Sequence, residues 1–130
     1  MNEHLYLRYA CARIVDRGAA TATVAATLAE AAGGWPALLQ GPHPAAAVWA
    51  FLRRNTDETV RRATCRDPLL DRLYAVLSSR VADAVVLDRK LQLTVKSAAG
   101  LMGADRAAVA GALLTAKRSL PAVFDSLGEE

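Results

Sequence analysis

The sequence is short of most residues that covalent stapling, metal binding or catalysis needs. Cys11 and Cys65 form no C-x-x-C pair, so their spacing supplies neither a zinc site nor a disulfide framework. A single bridge between them is open but unforced, and a reducing cytoplasm is the expected setting. The two histidines, His4 and His43, stand far apart, and no Ser-His-Asp or Cys-His arrangement or glycine-rich phosphate loop is present. No catalytic residue, metal ligand or cofactor is therefore expected. No apolar run approaches the roughly 18 residues that a membrane span requires. The start, Met1 to His4, lacks the basic and then hydrophobic pattern of an export signal, so a cytoplasmic protein with no membrane partner is expected.

Aromatic residues make up 5% of the chain, isoleucine occurs once at Ile14, and Lys90, Lys96 and Lys117 are the only lysines. Alanine and arginine take their places, a bias that fits GC-rich coding and also favours helix. With 16 basic and 13 acidic residues the formal charge is +3, which is compatible with a nucleic-acid partner without demanding one. The 130 residues suffice for one compact body or two very small units held by a hydrophobic core.

Strict apolar-polar alternation never lasts more than a few residues, and the apolar positions recur at helical spacing, so the expected class is all-α. The spacing predicts a first helix over Glu3 to Asp16, with Leu5, Tyr9, Ala12 and either Arg13 or Val15 on one stripe. It predicts a second over Ala20 to Ala32, then an irregular stretch from Trp35-Pro36 to Pro44. The second helix has Glu30 as its one charged residue, so it is expected to be buried on most sides or covered by a partner. A long third helix follows Pro44 and carries Val48, Phe51, Leu52 and Val60. Thr64 to Pro68 is too short for a flexible linker, so domains 1–64 and 68–130 are expected to touch. Further helices are expected over Leu69 to Leu77, around Val81 to Leu87, from Leu93-Thr94 to Met102, from an N-cap at Asp105 to Leu120, and from Pro121 to Leu127.

Within TVKSAAGLMGADRAAVAGALLTAKRSL, Ala99 is followed four residues later by Gly103 and six after that by Val109. That is helix-turn-helix spacing: a small residue for close helix approach, a glycine for a left-handed turn, and an apolar anchor for the second helix.

The segment from Ser78 to Leu120 resembles region four of the extracytoplasmic-function group of bacterial sigma factors. LYLRYACARIV is similar to the opening helix of sigma region two, and HPAAAVWAFLRRNTDETVRR to its last helix, with Trp49, Asn55 and Arg61-Arg62 at corresponding places. The resemblance spans about Leu5 to Leu120. It implies an N-terminal region-two-like bundle, a C-terminal helix-turn-helix bundle, transcription regulation, and promoter DNA and RNA polymerase as partners. Two departures stand beside it. Thr21, Ala22 and Ala25 occupy the places where the family carries an acidic pair and a Gln for polymerase, and Val109 is followed by Ala110, Gly111 and Ala112 rather than Lys, Ser and Arg.

Candidate DNA contacts are accordingly Arg53, Arg54, Arg61 and Arg62, with neighbouring Arg66, and Arg106, Lys117 and Arg118 around the second helix of the motif. The plainer reading of the first cluster is a solvated face tied by pairs such as Arg54 with Glu58 or Asp57 with Arg61. Ala107, Ala110, Gly111 and Leu114 share the outer face of the helix after Asp105 and are candidates for protein contact. The alternative function is therefore a sigma mimic without DNA or polymerase contact, working through a regulatory protein or as a homodimer.

Overall fold

A computed structural model describes residues 2–128; Met1, Glu129 and Glu130, at the outer ends of the two expected domains, lie outside the described residues. Among the described residues the chain is all-helical, with nine α-helices, one π-helical segment and no strand. Two compact units divide it. One runs to Arg66 and takes in Leu101–Gly103, and the other holds Asp67–Gly100 and the residues from Ala104 onward.

The first unit is built from α1 (Glu3–Arg13), α2 (Arg17–Gly33), α3 (Trp35–Gln40) and α4 (Pro44–Arg62). Helix α1 stops before the expected Asp16 because Ile14 is extended and Asp16 serves the next helix, accepting the Gly18 N–H at 3.0 Å. That cap moves the start of α2 from the expected Ala20 to Arg17. The expected irregular stretch contains α3, since Pro36 falls in its first turn, where a missing N–H breaks no helical bond. Only Gly41 to His43 stay outside helices there.

Tyr9 and Leu52 are fully buried, and the Trp49 ring lies 4.6 Å from Tyr9 and 6.4 Å from Tyr6, centroid to centroid. On the α1 stripe Arg13 turns inward and Val15 outward, 57% exposed. The Arg13 guanidinium pairs with Asp57 on α4 and donates to the Tyr9 hydroxyl at 3.0 Å, so a charge in the core is both paired and hydrogen-bonded. Helix α2 packs chiefly on α4 and α1. It buries Ala20, Thr23, Val24, Thr27 and Ala31 and leaves Thr21, Ala22, Ala25, Ala26 and Ala29 exposed, so it is not buried on most sides as its lack of charge implied. An alanine face exposes too little apolar area to force burial. The α2–α4 contact carries hydroxyl and amide bonds instead. Thr23 and Thr59 share a hydrogen bond at 2.9 Å, and the Asn55 amide donates to Thr27 Oγ1 at 2.9 Å and to Glu30 at 3.3 Å.

The second unit contains α5 (Pro68–Val76), α6 (Ser79–Val85), the π segment Val86–Lys90, most of α7 (Val95–Met102), α8 (Arg106–Ser119) and α9 (Pro121–Gly128). Side-chain oxygens cap three of these helices: Asp67 accepts from Leu69 N at 2.9 Å, Ser78 from Val81 N at 3.4 Å, and Thr94 from Ser97 N at 3.1 Å. The helix expected around Val81 to Leu87 begins as α6 and widens into the π segment, which Leu91 N closes on Val86 O at 3.2 Å. Gln92 then takes φ +56°, a left-handed conformation uncommon for a residue with a side chain. Leu73, Val85, Val86, Leu87 and Leu127 form the centre of this unit. Asp83 is buried among them and accepts the Tyr74 hydroxyl at 2.5 Å. The Arg89 guanidinium lies 4.5 Å from the Phe124 ring centroid and donates to the Phe124 carbonyl at 3.0 Å, joining α9 to the π segment.

The burial of Arg13 sets a stability expectation. Arg13→Ala removes the partner of a half-buried carboxylate and should cost about 2–3 kcal/mol. Arg13→Met keeps the aliphatic stem packed and should cost less. Urea denaturation of both variants checks this, and equal losses would show that the aliphatic stem contributes nothing beyond the ion pair and hydrogen bond that both variants lose.

Candidate functional site

The most distinctive local geometry lies between α7 and α8. At its end α7 needs a residue that accepts a left-handed backbone, and Gly103 takes it with φ +66°. The next residue turns back, so that Ala104 N donates to Ala99 O at 2.9 Å, the long closing bond of a glycine-terminated helix. Ala99 and Val109 are both buried, 3% and 2% exposed. Asp105 precedes α8 with extended backbone and its carbonyl accepts the Val109 N–H at 3.1 Å, but its carboxylate makes no capping hydrogen bond, contrary to the role its residue type predicts. Helix α8 packs chiefly on α6 and then on α9. Val109, Ala116 and Leu120 are buried, and Leu113 is half-buried.

The outward side of α8 is therefore defined. Ala107, Ala110, Gly111 and Leu114 are exposed, Leu114 at 56%. Gly111 has no packing reason to be glycine, since a Cβ there would meet no atom within 4 Å beyond its neighbours and its own helix backbone, yet glycine inside a helix costs about 0.5–1 kcal/mol relative to alanine. Arg106 stands at the start of this face and Lys117 and Arg118 at its end, all exposed. Among the described residues none of these three has an ion pair or side-chain hydrogen bond.

The arginines of α4 are arranged otherwise. Arg54 pairs with Glu30 on α2 and lies 5.4 Å from the Phe51 ring centroid. Arg62 pairs with Glu58 at 2.5 Å, and Asp57 is taken by Arg13. The pairs read from sequence, Arg54 with Glu58 and Asp57 with Arg61, are thus replaced by others: Asp57 and Arg54 find partners across helix contacts, and Glu58 takes Arg62 on its own helix. Arg53 is half-buried, Arg61 is exposed, and Arg66 donates to the Val60 carbonyl at 3.5 Å. Two of these arginines are thus neutralised by carboxylates at close range.

A groove of about 450 Å³ in the first unit runs between the α1–α2 turn and the end of α4, lined by Ile14, Val15, Thr59, Arg62 and Cys65 among others. It shares only Arg62 with the sequence-derived candidates. Among the described residues no three His, Cys, Asp or Glu side chains converge as metal ligands, and no helix is long and apolar enough to cross a membrane. Sequence reasoning missed the buried Asp83, the Arg13–Asp57 pair and the Glu30–Arg54 pair. The one available signal was a charged residue set among apolar neighbours, as in VADAVV.

No family model, curated protein or solved structure matches this chain.

Two expectations follow from this geometry. Gly103→Val places a β-branched residue at positive φ and should destabilise the protein by more than about 1 kcal/mol; an unchanged melting temperature would rule out the left-handed turn. The second concerns Glu30, whose carboxyl is held below its ordinary value by hydrogen bonds from Arg54 and then Asn55. A lowered folded value means that the unfolded chain binds the proton more tightly. The pair therefore adds stability above the ordinary glutamate range and loses it as pH falls through the lowered value. The stability difference between the native protein and Glu30→Gln should be present at neutral pH and vanish in acid, and denaturation curves across that range measure it.

Proposed function

We propose that this chain is a sigma-factor-like transcription regulator of the cytoplasm that binds duplex DNA through α7, the Gly103 turn and α8. The reading starts from the resemblance of Ser78 to Leu120 to sigma region four. The observation that supports it most is the contrast in charge pairing. Arg54 and Arg62 are tied to carboxylates, whereas Arg106, Lys117 and Arg118 are exposed around α8 with no such partner among the described residues. Unpaired cations flanking an outward helix are what phosphate contact requires, and phosphate contacts supply most non-specific affinity. Polymerase is the weaker of the two partners, because the exposed face of α2 presents Thr21, Ala22 and Ala25 where an acidic pair and a Gln would serve.

A second reading is favoured by one observation. Leu114 is 56% exposed among Ala107, Ala110 and Gly111, a face suited to close helix contact. On that reading the chain is a sigma mimic that acts through a regulatory protein or as a homodimer.

The salt dependence of duplex binding separates the two. For a DNA binder, replacing Arg106, Lys117 and Arg118 together by Ala should reduce the slope of log affinity against log salt by about 2–3, close to 0.9 per lost phosphate contact. An unaltered slope would remove α8 from the DNA interface. Light scattering on the same samples reads the other outcome: self-association that Leu114→Glu abolishes, with no duplex binding by the native protein, would establish the second reading.

A further inference from the structure

If α8 enters the major groove as proposed above, the strip of its outer face between the cations at either end has no group that can read a base edge by hydrogen bonding. Ala107, Ala110, Gly111 and Leu114 carry neither donors nor acceptors on their side chains. One feature of the major groove needs neither, the C5-methyl group of thymine. We propose that the outer face of α8 selects thymine-containing duplex by apolar contact with that methyl group, with Leu114 as the specificity-determining residue and Arg106, Lys117 and Arg118 as phosphate anchors. This inference rests on the DNA-binding reading and adds to it the chemical feature that is read.

Three observations carry it. The groove is about 12 Å wide and a helix with ordinary side chains about 10–12 Å across, so small outer residues allow the axis of α8 to sit deeper than long side chains would. Gly111 lies in the middle of that face, and apart from its neighbours and its own helix backbone no atom lies within 4 Å of the place its Cβ would take. Leu114, one turn further on, is the one large apolar side chain exposed on this helix, long enough to reach a methyl group that alanine at 110 or 107 meets only on closer approach. The cations bracket this apolar strip: Arg106 and Arg118 are twelve residues apart, about 18 Å along the axis, so phosphate contacts fall at its ends and leave the middle to the bases. The same bracket disfavours a symmetric pair of α8 helices. Antiparallel packing centred on the strip sets Arg106 opposite Arg118 of the second copy, and parallel packing sets each cation beside its equivalent.

The test uses the full chain and a pair of 30-base-pair A·T-rich duplexes, identical except that one has every thymine replaced by uracil. Uracil lacks only the methyl group and keeps the hydrogen-bonding edge. Burying one methyl-sized group is worth about a fourfold change in affinity, so the native protein should bind the thymine duplex about fourfold more tightly per contacted base. Leu114→Ala should bring the ratio of the two affinities towards one and leave the salt slope unchanged. Arg106→Ala with Arg118→Ala should lower the slope and leave the ratio unchanged. A third duplex with 5-methylcytosine in place of cytosine should bind more tightly than its unmethylated parent. Duplex binding with equal affinity for thymine and uracil overturns this inference and leaves the DNA-binding reading standing. No duplex binding at low salt overturns both.

Discussion

An alanine side chain buries little apolar area, and alanine is the commonest residue of α2 and α8. Helix formation costs such a sequence almost nothing, but helix association must be supplied by the few larger side chains and by polar contacts. In the first unit Tyr9, Trp49 and Leu52 supply the apolar part, and the Thr23–Thr59 and Thr27–Asn55 bonds join α2 to α4 where leucines would usually interlock. In the second, Leu73, Leu87 and Leu127 are buried, as is Asp83, whose carboxylate accepts the Tyr74 hydroxyl. The same scarcity of large side chains leaves smooth exposed faces on α2 and α8. The outward surface of this protein is thus a consequence of what its core could be built from.

Charge is distributed by the same helix contacts. Glu30 and Asp57 stand where two helices meet, so both select the cation that the contact brings nearest rather than a neighbour one turn away. Glu30 takes Arg54 and Asp57 takes Arg13, both across helices, whereas Glu58 pairs with Arg62 one turn away. The basic residues of α4 are largely spoken for as a result. Helix α8 itself carries no carboxylate, Asp105 directly precedes it in sequence, and Arg106, Lys117 and Arg118 are exposed. Although the two halves of the sequence differ little in net charge, their available charge differs, and this points the nucleic-acid reading to α8.

Much of the helical order was legible in the sequence because its signals are local. Proline starts α4, α5 and α9, and glycine ends α2 and α7. What misled were residues whose role depends on which of two neighbours they serve. Asp16 reads equally as the end of one helix and the cap of the next, and only the Gly18 contact shows that it caps α2. Trp35-Pro36 reads as a break, yet it begins α3 because proline is tolerated in a first turn. The π segment after Val85 had no sequence signal, since its five residues are too short a window to show a change of helical period.

The sequence by itself determined the all-helical class, the Ala99, Gly103 and Val109 spacing, and the identity of the residues along α8, because backbone preference and periodicity act over a few neighbouring residues. Only the tertiary structure decided that Arg13 goes inward and Val15 outward, that α2 exposes an alanine face, and which arginines are held by carboxylates. Those outcomes depend on residues tens of positions apart, such as Arg13 with Asp57 and Glu30 with Arg54. An ion pair or a buried face is a property of two helices in contact, and a periodic pattern along one of them does not contain it.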